Sequence, residues 1–181
     1  TIQEIQSSIE KIQLLIEISK FDQASIMVAK INHLINQVKG SYVNYIFTSI
    51  KYYVAVSNGS TDISKLDKLL KDLNNIEDYS FAEPYWYLAK TYLRLNHNDL
   101  AEKCHLKSKI ILDNRCQILS NPDHQEPYRN TFYNKRILVD LKKDKPAAQK
   151  DEIKVFVFCP SCGFKNENKF VFCPSCGNDL N

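Results

Sequence analysis

Cys159, Cys162, Cys173 and Cys176 form two Cys-x-x-Cys pairs with ten residues between them. Each pair sits inside the same octapeptide, FVFCPSCG, at 156–163 and again at 170–177. Zinc takes four soft ligands in a tetrahedron, and a Cys-x-x-Cys turn presents two thiolates about 3.5–4 Å apart to one side of the ion. A second such turn closes the tetrahedron. Gly163 and Gly177 follow the second cysteine of each pair, where the chain must turn back with backbone N–H groups aimed at sulfur. The pattern therefore predicts one Zn2+ held by four cysteines. With four protein ligands there is no position for water or substrate, so the expected zinc is structural. Disulfides would need an oxidising compartment, and nothing in the sequence resembles a secretory signal. A thioredoxin-like pair would need a strand-to-helix context, which two tandem copies do not offer. Iron in a rubredoxin-like site is the alternative metal, because tetrahedral sulfur suits it as well.

The stretch CPSCGFKNENKFVFCPSCGNDL, residues 159–180, resembles the short bacterial zinc ribbon, a pair of knuckles each on a tight hairpin. The resemblance implies a fold and says little about function, because ribbons of this size bind proteins or nucleic acids alike. Residues 153–181 are too few to bury a core that offsets chain entropy, since below roughly 40 residues a staple is usually needed. Removal of the ion should unfold this segment and leave the rest intact.

The remainder of the chain reads as helices. Residues 1–141 contain only Gly40 and Gly59, with Ile, Leu, Lys, Asn, Glu and Gln predominating. Ile2, Ile5, Ile9, Ile12, Leu15 and Ile16, then Ile26, Ile31, Leu34, Ile35 and Val38, recur with period 3.6. Gly40, Asn58-Gly59 and Asn96-His97-Asn98 punctuate these runs. The spacing predicts helices near 2–19, 22–39, 42–57, 61–76, 81–95 and 98–119, with a shorter one near 129–142.

Asp22, Asp62 and Asp99 each open the second helix of a pair, and lie 40 and 37 residues apart. Each aspartate is expected in a first turn, facing the helix dipole, with a small residue (Ala24, Ser64, Ala101) two positions on where paired helices approach. Two helices per period of this length indicate an α-solenoid. Tyr85-x2-Leu88-Ala89-x2-Tyr92-x8-Ala101-x3-His105-x2-Ser108 resembles the tetratricopeptide pattern. Tyr45-x2-Thr48-Ser49-x2-Tyr52-x8-Thr61 keeps its spacing with weaker residues. The resemblance covers about 1–119 and implies helical hairpins that bind a protein or peptide. His105, Ser108 and Asp113 depart from the pattern. Residues 108–141 also resemble the terminal helix that follows such arrays in large bacterial ATPase- and cyclase-type signalling proteins, with Asn134, Lys135, Arg136, Ile137 and Leu138 as the matching residues. That likeness implies a capping helix and a place in the C-terminal part of a larger protein. The first residue is Thr, so either an initiator was removed or this is a piece of a longer protein, and three units, near the minimum for an array, favour the second.

The expected organisation is an all-α helical-hairpin solenoid at 1–141, a charged, proline-broken linker at 142–152 and a zinc ribbon at 153–181. The formal charge is +3. Only 135–150 is concentrated in cations, more simply a solvated helix end than a track for phosphates. No run of apolar residues is long enough to span a membrane, and Cys104 and Cys116 read as small buried hydrophobes in a reducing cytoplasm. The four histidines are scattered, and no phosphate-binding glycine loop, nucleophile elbow or metalloprotease helix appears. Tyr45, Tyr52, Tyr85 and Tyr92 have the spacing for packing between first helices of adjacent units. Trp86 and Tyr53 fall off that stripe, open to packing or to a partner groove. The function expected from these features is a non-enzymatic protein-interaction adaptor. The alternatives are nucleic-acid association through the ribbon and 135–150, or a zinc- or redox-sensing module.

Overall fold

In the computed structural model, the apolar stripes fold as amphipathic helices that bury the predicted faces. The structure describes residues 2–38, 41–62, 64–76 and 82–139, and the backbone of 156–158 and 165–167. The chain divides into two compact units, Thr1–Asp144 and Lys145–Asn181.

The first unit is mostly helical. Helix α1 (Ile2–Glu17) buries Ile5, Ile9, Ile12 and Ile16, and α2 (Phe21–Ile35) buries Ala24, Val28, Ile31 and Ile35. Two residues of the expected stripes do not belong to these faces: Ile2 is 56% exposed and Ile26 70%. A short 3-10 turn, Asn36–Val38, continues α2. Helix α3 (Tyr42–Ser57) starts at Ser41, whose hydroxyl accepts from Asn44 N–H at 3.3 Å and donates to Val38 C=O at 2.6 Å. Helices α4 (Ser64–Asn74), α5 (Ala82–Arg94) and α6 (Asn98–Ile118) follow.

Three inter-helix turns share one geometry. After α1, α3 and α5 the chain passes through a left-handed residue, Ser19 (φ 57°), Gly59 (φ 91°) and Asn96 (φ 62°), at intervals of 40 and 37. In each turn the left-handed residue donates to the carbonyl three back (Ile16, Val56, Leu93). The next residue donates to the carbonyl five back, Lys20 to Leu15, Ser60 to Ala55 and His97 to Tyr92. This doubly bonded ending satisfies last-turn carbonyls that would otherwise be bare. Asp22 and Asp99 then lie in the first turns of α2 and α6, while Ala24 and Ala101 are fully buried.

The middle pair departs from expectation. Helix α4 starts at Ser64 and not at 61, because the Asp62 carboxylate accepts from Ser64 N–H (3.1 Å) and its hydroxyl (2.7 Å) and so stands ahead of the helix. Ser64 is exposed, and Leu66, Leu69 and Leu73 form the buried stripe.

The stretch between the helices expected at 98–119 and 129–142 is itself a helix, α7 (Pro122–Arg129). Asn121 caps it, its side chain accepting from Asp123 N–H at 2.9 Å, and Pro122 takes the first position, where no N–H is needed. A separate helix, α8 (Phe132–Leu138), replaces the single one expected at 129–142. The break falls at Asn130-Thr131, where the Asn130 and Thr131 N–H groups end α7 on Glu126 and Tyr128. Residues 140–152, which include the linker, lie outside the described residues.

Helix α5 is the centre of the unit. Every residue in it except Glu83 and Arg94 is buried, and it packs against α3, α6, α4 and α8. A helix buried on all sides is apolar all round in an ordinary core. This one instead carries Thr91 and Lys90 among its aromatic and aliphatic residues.

In the second unit the described elements are β1 (Phe156–Phe158) and β2 (Lys165–Glu167), an antiparallel pair with Phe156 opposite Glu167, Val157 opposite Asn166 and Phe158 opposite Lys165.

Candidate functional site

The four cysteines of the predicted metal centre lie outside the described residues, as do both CPSCG segments. The flanking backbone bears on the first pair. β1 ends at Phe158, next to Cys159 in sequence, and β2 begins at Lys165, opposite Phe158. Residues 159–164, with Cys159 and Cys162 among them, therefore connect two paired strand ends. A short hairpin connection is the setting in which a Cys-x-x-Cys turn can present both sulfurs to one ion. The donor set, four cysteines and no carboxylate, is that of a closed zinc or tetrahedral iron site. Among the described residues no cluster of three or more His, Cys, Asp or Glu side chains could hold a metal.

Among the described residues, the helical unit buries seven polar or charged side chains. The buried side-chain hydroxyls of Ser49, Thr91 and Ser108 bond within their own helices, to Ile46, Tyr87 and His105 carbonyls. The other buried polar side chains, Gln13, Lys90, His105 and Asn134, belong to α1, α5, α6 and α8. His105 Nε2 lies 2.8 Å from the Ile137 carbonyl. A carbonyl only accepts, so this ring nitrogen carries the proton and donates. Asn134 Nδ2 donates to Tyr128 C=O at 2.8 Å, holding α8 against α7. Arg136 pairs with Glu17 at the end of α1, and its guanidinium lies over the Trp86 ring at 5.7 Å and the Phe132 ring at 5.1 Å.

Trp86 and Tyr53, open to a partner-groove reading on sequence, are only 1% and 2% exposed and line no open groove in this structure. They belong to an aromatic chain from Phe21 through Tyr53 and Tyr87 to Trp86, with ring centroids 6.0, 5.9 and 5.0 Å apart. Lys90 Nζ sits 5.0 Å from the Tyr53 centroid and 4.5 Å from that of Trp86. Arg94 stacks on Phe21 and Tyr53. Cations on aromatic faces keep a favourable electrostatic partner where water is excluded.

Tyr85 and Tyr92 also behave differently from expectation. Their rings are buried in the core, but their hydroxyls reach α4 and not α3, donating to Asn74 Oδ1 at 2.8 Å and Asp67 Oδ1 at 3.0 Å. A buried phenol needs a polar partner for its tip, and α4 supplies one for each. Burial pushes the Tyr85 phenol up to about 12.

Between α3 and α5, Tyr42 Oη donates to Glu83 Oε2 at 3.0 Å. Burial raises the Glu83 carboxyl above the ordinary range, against the lowering effects of the Tyr42 hydrogen bond and Arg115. Burial also raises Tyr133 on α8 to about 12, with added repulsion from Glu83 and Glu10. Nothing in the spacing of Glu17, Glu83 and Arg136 announces these pairings. Cys104 and Cys116 are buried and free, as expected, and burial drives the Cys104 thiol up to about 12. Among the described residues no helix is long and apolar enough to cross a membrane.

Comparison with protein-family models, with curated proteins and with solved structures gave no match.

Proposed function

We propose that the chain is a non-enzymatic protein-interaction adaptor: a tetratricopeptide-like helical repeat scaffold followed by a zinc ribbon whose single Zn2+, held by Cys159, Cys162, Cys173 and Cys176, is structural. The observation that carries the scaffold reading is the threefold recurrence of one hairpin turn, at Ser19, Gly59 and Asn96, spaced 40 and 37 residues apart. Recurrence at a fixed period is how repeat proteins are built, and their extended surfaces serve to bind other chains. The ribbon reading is supported by the duplicated FVFCPSCG and by the strand pair that flanks Cys159 and Cys162. Free, buried Cys104 and Cys116 suit a reducing compartment such as the cytoplasm.

The nucleic-acid alternative draws on the cations of 135–150. One of them, Arg136, is already committed to Glu17 and Trp86, which weakens that reading. The test combines elemental analysis of protein purified without added metal with capture of partners by the full chain. One zinc per chain, and a protein partner lost on substitutions in the helical unit, supports the adaptor. Salt-sensitive binding to DNA or RNA that disappears with Lys142→Glu and Lys143→Glu would replace it. Iron, or zinc released by mild peroxide, would make the second unit a redox element.

A further inference from the structure

We propose that α8 is an autoinhibitory latch, covering in cis a face of α1, α5 and α6 that, when α8 leaves, takes a basic-apolar helix of a protein partner. The inference rests on the adaptor reading and adds its regulation. Three observations carry it.

First, α5 has its remaining side closed by α8. Its other neighbours are α3, α4 and α6, and Arg136 of α8 lies over Trp86. Second, α8 has little to hold it as a helix. It spans seven residues, lacks a side-chain cap and buries only Asn134 and Ile137, while Phe132 is 55% exposed. Helices this short do not persist in water without a surface to lie on, and such elements open at free energies well below global unfolding. Third, the face under α8 is made for a charged helix and not for an aliphatic one. Glu17 takes the guanidinium, the His105 ring donates to a backbone carbonyl at the helix's end, and the core takes one aliphatic side chain, Ile137, in full. An aliphatic cap would need none of these polar groups, each of which costs desolvation. An exchangeable ligand does need them, because they set orientation and admit Arg followed by an aliphatic residue.

The chain contains one tryptophan, Trp86, under the latch, so its fluorescence reports the position of α8 directly. The full-length protein is compared with Arg136→Glu and, separately, Ile137→Ala, using acrylamide quenching, far-ultraviolet dichroism and titration with a synthetic peptide of residues 129–139. The expected result is a several-fold rise in Trp86 quenching in both variants with helicity and the main melting transition retained. The peptide should then restore shielding in the variants, more weakly at high salt, and leave wild type unchanged. Two outcomes overturn the proposal. If the variants lose the whole helical unit in one transition, α8 is an integral part of the core. If Trp86 becomes accessible but the peptide does not restore shielding, the uncovered face does not take a helix. Because the probe is the chain's own sequence, neither outcome depends on whether an external partner is ever captured, which tests the adaptor reading separately.

Discussion

Substitution of Gly59 by alanine isolates the geometry on which the recurrent hairpins depend. Gly59 has φ 91°, and a Cβ built there meets nothing within 4 Å. No packing clash contributes, so the whole cost is backbone conformation. An L-residue in the left-handed region costs about 1–2 kcal/mol, partly offset because alanine constrains the unfolded chain by about 0.4–1 kcal/mol. The net expectation for Gly59→Ala is a loss of about 1 kcal/mol, or about 2–4 °C in Tm for a unit of this size. The sister turns supply internal controls. Ser19 already pays the left-handed cost (φ 57°), so Ser19→Gly should gain about 0.5–1 kcal/mol. Asn96, at φ 62°, is the side chain that tolerates this region best, so Asn96→Gly should change little. Urea and thermal unfolding followed by far-ultraviolet dichroism would read the order directly. If Gly59→Ala is neutral, or Ser19→Gly destabilises by as much as Gly59→Ala, the three turns are not equivalent left-handed endings and the repeat argument loses its main support.

Tyr85→Phe and Tyr92→Phe each remove one hydroxyl tie to α4, and each should cost about 1 kcal/mol in chemical denaturation. The double variant should also increase amide exchange in α4 more than in α6. The Glu83 carboxyl has a raised folded-state pKa, so its contribution is fully present below the unfolded-state value and is lost as pH rises through the folded one. Glu83→Gln, which still accepts from Tyr42, should therefore be more stable than wild type at neutral pH, with the difference vanishing in acid. A constant difference across the pH range would show that ionisation of Glu83 is not the cause. With the thiol of Cys104 held at about 12 and Cys116 fully buried, both should alkylate slowly in the folded protein. Chelator-treated, folded protein is expected to show four fast thiols and two slow ones, and six fast thiols would contradict it.

Much of the helical unit was legible because its signals are local. The stripe at Ile5, Ile9, Ile12 and Ile16 and the turn residues at 58–59 and 96–98 place helices to within a few residues. The errors fell where a side chain overrode the pattern. Asp62 moved the start of α4 by taking the Ser64 N–H, and Asn121 with Pro122 started α7 where no helix was expected. Trp86 and Tyr53 were ambiguous because a helical period shows which residues share a face, not what covers it. The candidate metal centre is read from the cysteine spacing, to which the structure adds the β1–β2 pair.

The amino-acid sequence by itself determined α1 to α6 to within a few residues, the turns at Gly59 and Asn96 and the cysteine pattern, because each depends on residues within a turn or two of one another. Tertiary structure alone decided that Arg136 meets Glu17, that His105 donates to Ile137 C=O, and that α8 closes over Trp86. These partners are far apart in the chain and follow no period, so only the packing of α1, α5, α6 and α8 could bring them together.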